Sequence, residues 1–185
     1  EDHWPRIAAI DFGWDHPTAV VWCAMDTEEE MFYVYDCYRA SKASPAVHSE
    51  VIRGRPHFIP IAYPHDGNRR DSMGNPGLAD QYRNLGCNFL LEHFTNPPAL
   101  GNNKGSNSVE EGIMALLQAM EKGKFKVFST LGDWFEEFRM YHRKQNKVVP
   151  FRDDLMSATR YAFQSQRFAV AGKDPTWTQD VEYRN

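Results

Sequence analysis

Apolar and polar positions change their period several times along the chain, and each change marks an element. Arg6–Asp11, Ala19–Met25 and Met31–Arg39 are apolar or alternating runs rich in β-branched and aromatic residues, the pattern of strands. The links between them are short and turn-forming, so the three predict an antiparallel meander. Pro45–Arg53 predicts a short helix and Ile59–Pro64 the next strand. Gly67–Gly77 is polar, with three glycines and a proline, and predicts a loop. Leu78–Leu85 predicts a helix stopped by Gly86, Cys87–Leu91 a strand, and Pro97–Asn107 a second loop.

Ser108-Val109-Glu110-Glu111 is a capping-box sequence and starts a helix that Gly123 ends. Within it Val109, Ile113, Leu116, Leu117 and Met120 recur at helical spacing, which predicts one buried face. Lys126–Phe128 predicts a short strand. Leu131, Trp134, Phe135 and Phe138 repeat at helical spacing, so Thr130–His142 is expected to be a helix with an aromatic core stripe. Lys144–Arg152 predicts a loop or hairpin, and Asp153–Gln166 a last helix buried through Leu155, Ala158, Thr159, Ala162 and Phe163. From Val170 no period survives. The division expected is one domain over residues 1–168 and a tail over 169–185.

Strands first, then strands alternating with helices, give an α/β architecture: a mixed sheet, antiparallel in its first three strands and parallel afterwards, flanked by helices. At 185 residues and 42% hydrophobic the chain fits one well-filled core. No run approaches the ~18 apolar residues of a membrane span. The chain begins at Glu1 with neither a methionine nor an apolar leader, which suggests a piece of a longer protein. Cys23, Cys37 and Cys87 are odd in number, lack zinc-site spacing, and fit reduced thiols of a cytosolic protein.

Three aspartate positions carry the chemistry. Asp11 ends the apolar run Ile7-Ala8-Ala9-Ile10, Asp66 ends Ile59–His65, and Asp153-Asp154 opens the last helix. Carboxylates at the ends of rigid elements can converge on a divalent cation. Each also has an ordinary reading as a turn or cap residue; their order and placement together favour the metal. The formal charge of −4 is not that of a nucleic-acid binder, but the basic residues are placed unevenly. Arg143, Lys144, Lys147 and Arg152 precede Asp153, and Arg69 and Arg70 follow Asp66, so they are candidate phosphate contacts. Asp15 fits a turn cap or an outer-shell group, and His16 and His65 carry weaker signals.

The order strand-Asp, strand-Asp, helix-Asp matches the ribonuclease H-like fold. More specifically, Ile10-Asp11-Phe12-Gly13-Trp14-Asp15-His16-Pro17-Thr18-Ala19, Pro64-His65-Asp66-Gly67 and Arg152-Asp153-Asp154-Leu155-Met156-Ser157-Ala158-Thr159-Arg160-Tyr161-Ala162 resemble the three motifs of the C-terminal nuclease domain of the large terminase subunit of tailed bacteriophages. The resemblance runs over Arg6–Phe168. It implies an endonuclease that cuts concatemeric viral double-stranded DNA during headful packaging, acting in the host-cell cytoplasm. It implies as partners an N-terminal packaging ATPase domain of the same polypeptide, the portal and the small terminase subunit. This chain has no Gly-x-x-x-x-Gly-Lys-Ser/Thr loop, so the motor is not within it, and the isolated domain is expected to be monomeric. Ser157 stands where many relatives have an acid, one helical turn after Asp154.

Hard oxygen donors without a Cys/His cluster favour magnesium or manganese. Two such ions, about 3.5–4 Å apart, would be held by Asp11 between them, Asp66 on one and Asp154 on the other, with Asp153 the alternative or outer ligand. Three other readings remain: a junction-resolving nuclease of the same fold, an actin-like or sugar-kinase-type ATPase fragment, for which a second phosphate loop is missing, and a non-catalytic docking module.

Overall fold

A computed structural model describes residues 3–69, 74, 76–98, 104–145, 147–149 and 151–172. β1 (Arg6–Asp11), β2 (Thr18–Asp26) and β3 (Met31–Ala40) form the expected antiparallel meander, with Asp11 opposite Ala19 and Ala19 opposite Arg39. α1 (Pro45–Arg53) leads to β4 (Ile61–Ala62), which runs parallel to β1. α2 (Leu78–Asn84) and α3 (Val109–Glu121) follow, then β5 (Phe125–Val127) parallel to β3. The sheet order is therefore β4-β1-β2-β3-β5, mixed as the sequence predicts. α4 (Gly132–Met140), a hairpin of β6 (Arg143–Lys144) and β7 (Lys147–Val148), and α5 (Asp154–Gln164) complete the element order.

Strand alternation sorts the core into two layers. Ile7, Ala9, Ala19 and Val21 point to the face covered by α4 and α5, where they meet Trp134, Leu155, Ala158 and Ala162. Ala8, Ile10, Val20 and Trp22 point to the other face and meet Ile52 of α1 and Ala79 and Tyr82 of α2. Both sides of β1 and β2 are covered, which is why these strands read as continuous apolar runs. α5 is enclosed almost all round, and Trp134 Nε1 donates to Thr159 Oγ1 at 2.9 Å.

Several elements differ from the sequence expectation for local reasons. Pro60 and Pro64 bracket β4 and remove two ladder donors, leaving a two-residue strand. The Cys87–Leu91 strand reduces to a single parallel bridge between Phe89 and Ile61, because the Leu90 and Leu91 carbonyls accept from the Arg83 guanidinium instead. Half of the capping box forms: Glu111 N–H donates to Ser108 Oγ at 3.3 Å, while the Glu111 carboxylate takes Ser106 Oγ and Asn96 Nδ2. The stripe of α3 is not a buried face. Gly112 is its buried residue and packs on Arg160, where a Cβ would lie 2.7 Å from Cδ; Val109 and Leu117 are exposed. With Phe138, also exposed, the stripe lines an apolar groove of about 400 Å3, so only part of the aromatic stripe is core. Past residue 168, Arg6 and Val170 exchange both backbone hydrogen bonds; residues 173–185 of the expected tail lie outside the described residues. Cys23 and Cys87 are buried and Cys37 half-buried, all free, and no helix among the described residues is long and apolar enough to cross a membrane.

Two glycines set the turns at the strand ends. Gly13 follows β1 in a turn so tight that a Cβ would lie 2.4 Å from the His16 carbonyl oxygen, and Thr18 Oγ1 ties it by accepting from Gly13 N–H and donating to Gly13 O. Gly67 lies after β4 against Phe12 and Tyr63. Gly67→Ala would put a Cβ 2.7 Å from Phe12 Cε2 and 2.8 Å from Tyr63 Cδ2. Such overpacking costs about 1–3 kcal/mol, so thermal melts of this variant should show Tm lowered by about 3–8 °C. An unchanged Tm would mean that the turn relaxes freely.

Candidate active site

The site lies where β1 and β4, adjacent and parallel, both end. Asp11 is the last residue of β1 and is partly buried between the two core layers. The Gly13 turn that follows carries Asp15 and His16 at the surface. Asp66 is four residues beyond β4, exposed, in a single 3-10 turn, His65–Asn68, rather than on the strand itself. That turn is fixed from below: the Tyr63 hydroxyl donates to Asn68 Oδ1 at 3.0 Å and accepts from Arg83 Nη2 at 3.0 Å.

Asp153 and Asp154 enter from the face of α4 and α5. Arg152 adopts a left-handed backbone, φ 49°, which costs a non-glycine residue about 1–2 kcal/mol and turns the chain into α5. Asp153 is the N-cap residue, yet its side chain makes no capping bond. The free Leu155 N–H donates instead to Glu137 Oε2 at 2.7 Å. Glu137, on α4, is fully buried, and its Oε1 accepts from Arg39 Nη1 at 3.0 Å. Arg39, near the end of β3, also binds Asp133 at 3.0 Å and Glu136. Asp154 is buried, and its Oδ2 has no hydrogen-bond partner.

The electrostatics tie these groups together. Burial, then the charges of Asp154, Asp66 and Asp153, push the Asp11 carboxyl up to about 8, and the Tyr161 hydroxyl opposes the shift. Burial raises Asp153 and Asp154 as well; the Asp153 charge adds to the shift of its neighbour, and His16 opposes both. Arg160 further opposes the shift of Asp153, and Arg39 that of Asp154. Burial also raises Glu137, opposed by Leu155 N–H and Arg39. The Asp11 charge adds to burial in raising Tyr161.

This donor set fits a hard divalent cation. Its members are carboxylates, three of which raise the proton affinity of the buried Asp11, and one oxygen, Asp154 Oδ2, is buried without a donor. No group of three His, Cys, Asp or Glu among the described residues is drawn together tightly enough to hold an ion as it stands. A cleft of about 370 Å3 beside Asp154 is lined by Asp15, His16, Arg39, Phe151 and Arg152.

The basic residues singled out in the sequence fall in several places. Arg152 lines the cleft and pairs with Glu136 at 3.0 Å. Arg143 pairs with Glu110 at 2.7 Å, Lys144 is exposed beside it in the hairpin, and Arg69 is exposed just after the Asp66 turn. The Lys147 side chain and Arg70 lie outside the described residues. Sequence reasoning gave no role to Arg39, Glu137, Tyr161 or Arg160. Tyr161 could have been found, since it lies on the motif-bearing helix seven positions, two turns, after Asp154. Glu137 carried no signal, being one of several acids on an amphipathic helix.

Residues 8–166 match the family described as the terminase RNaseH-like domain. The terminase large subunit of Salmonella phage P22 is 38% identical over 174 residues, 94% of this chain and 34% of that protein. The chain thus spans about a third of that relative. The solved nuclease domain of P22 large terminase superposes with a TM-score of 0.81 at 38% identity, covering 92% of this chain and 86% of the other. The nuclease domain of the large terminase of bacteriophage SPP1, solved with bound Mn, gives 0.59 at 19% identity, covering 88% and 86%.

The raised Asp11 carboxyl makes metal-free stability depend on pH. Below about pH 4 it is protonated in the folded and unfolded chain alike. Between there and about 8 the unfolded chain ionises while the folded one keeps its proton, so stability falls across that window and levels off above it. Asp11→Asn should flatten the decline and raise Tm at about pH 8 in chelator by about 5–10 °C. Melts of both proteins from about pH 5 to pH 8 measure this; parallel curves would exclude it.

Proposed function

The chain belongs to the terminase RNaseH-like domain family, and from that premise we propose that it is a metal-dependent endonuclease hydrolysing phosphodiester bonds of double-stranded DNA. The observation that carries this reading is the convergence of Asp66, Asp153 and Asp154 on the buried Asp11, whose carboxyl is pushed up to about 8 by burial first and then by those three charges, together with the unpartnered, buried Asp154 Oδ2. A cation is the economical relief of such a cluster. Asp11, Asp66 and Asp154 are the ligands, with Asp153 next to them. Two magnesium or manganese ions bound there would activate a water and stabilise the leaving 3′ oxygen.

The chain's own groups do the rest. The Tyr161 hydroxyl beside Asp11 favours the charged form of that carboxylate. His16 and Arg152 line the cleft beside Asp154 and would contact phosphate oxygens, which position a strand without reading its sequence. Lys144 of the hairpin, with Arg143, and Arg69 beyond Asp66 extend that contact along the backbone, and Lys147 and Arg70 take the same role from their place in the sequence alone. No side chain is required as a nucleophile.

In this reading the domain cuts concatemeric viral DNA during headful packaging in the host cytoplasm. It works with a packaging ATPase N-terminal to it in the same polypeptide, and with portal and small terminase subunit. The chain's coverage of about a third of a terminase large subunit supports the first partnership.

Supercoiled plasmid incubated with the purified chain should be nicked and linearised with manganese or magnesium, without ATP, and not in chelator. Asp11→Ala and Asp66→Ala should each reduce cleavage to the chelator background. Metal-independent cleavage, or full activity in both variants, would falsify the assignment.

A further inference from the structure

Helix α5 begins with two aspartates, and the first of them occupies the position whose side chain ordinarily accepts from the second or third helical N–H. Here that service is supplied from another helix. Leu155, the second residue of α5, donates to Glu137 Oε2 at 2.7 Å, Asp153 makes no side-chain cap, and Asp154 Oδ2 has no partner. Glu137 is fully buried, a poor place for a carboxylate unless it is paired. Its pairing with Arg39 at 3.0 Å supplies this, and Arg39 is itself anchored to α4 through Asp133 and Glu136. Ala19 links the two ends of this path in the sheet, lying opposite Asp11 on one side and Arg39 on the other.

We propose that Arg39 and Glu137 are positioning residues: by capping α5 in place of Asp153, Glu137 frees both Asp153 and Asp154 for the cation and fixes their backbone relative to Asp11. The proposal rests on the metal reading above for its purpose, though not for its geometry. Without Glu137, Asp153 turns inward to bond the Leu155 or Met156 N–H and is withdrawn from the ion. The outer-shell partners of ligating carboxylates act in this way on metal affinity.

The test compares Glu137→Gln, which retains an acceptor for Leu155, with Glu137→Leu, which retains the volume and no acceptor, and adds Arg39→Gln. Near-UV circular dichroism checks the fold. Manganese concentration is then varied in plasmid cleavage and in calorimetry. Glu137→Leu should need about 10–100-fold more manganese for half-saturation, with Glu137→Gln recovering most of the loss and Arg39→Gln shifted in the same direction. Hydrogen exchange at the Leu155 amide of the metal-free proteins should be fast in Glu137→Leu and slow in wild type. Wild-type manganese dependence and slow Leu155 exchange in folded Glu137→Leu would overturn the proposal. A wild-type chain that binds no manganese overturns the metal reading and the purpose assigned to the cap, while Leu155 exchange still decides whether Glu137 is that cap.

Discussion

A buried carboxylate, Asp11, crowded by three others at one end of a sheet is the constraint around which the rest of this molecule is arranged. Burial first, with the charges of Asp154, Asp66 and Asp153 added to it, moves the Asp11 carboxyl from 3.8 to about 8, on the order of 6 kcal/mol against its ionised form. That is comparable with the whole stability of an ordinary domain. The molecule must therefore be stable enough elsewhere to hold these groups where they repel. Two apolar layers do so. β1 and β2 are covered on both faces, and α5 is enclosed nearly all round.

Rigidity is concentrated where the charges are carried. Asp11 is the last residue of a strand paired on both sides, and Asp66 rides on a turn locked through Tyr63, Asn68 and Arg83. Asp154 is buried in the first turn of the most enclosed helix. The Gly13 and Gly67 turns leave no room for a side chain, so the chain turns tightly just after Asp11 and directly after Asp66. A softer scaffold would let the carboxylates separate, and the coupling felt at Asp11 would fade with distance.

Where the sequence was legible, one local rule decided the outcome. Arg6–Asp11 and Ala19–Met25 read as strands because burial on both faces leaves only apolar choices, Met31–Arg39 because its aromatic and β-branched residues alternate in burial at its start, and the helix after Asp153 is amphipathic enough to announce itself. Legibility failed where tertiary partners override a local pattern. The heptad-like stripe of α3 predicts burial, but the helix docks through Gly112 on Arg160 and leaves Leu117 outside. Ser108 and Glu111 form only half a capping box because Ser106 and Asn96 compete for the carboxylate. The Glu137 bond to Leu155 joins positions 18 apart in sequence on different helices, and nothing in either neighbourhood marks it.

The same distinction separates the two sets of positive charge. Proximity in sequence drew attention to the hairpin, where Arg143 is occupied by Glu110 and Lys144 faces solvent. The cations that act on Asp153 and Asp154 are His16, Arg160 and Arg39, brought from a turn after β1, from two turns further along α5 and from β3. Arg160 and Arg39 are largely enclosed, so they temper the acids without being free to leave them. The exposed bases are screened within about 10 Å in ordinary salt and have little hold on the buried acids. A chain of net charge −4 thus carries two kinds of base, the enclosed Arg39 and Arg160 beside its acids and the exposed Lys144 and Arg69 on its surface.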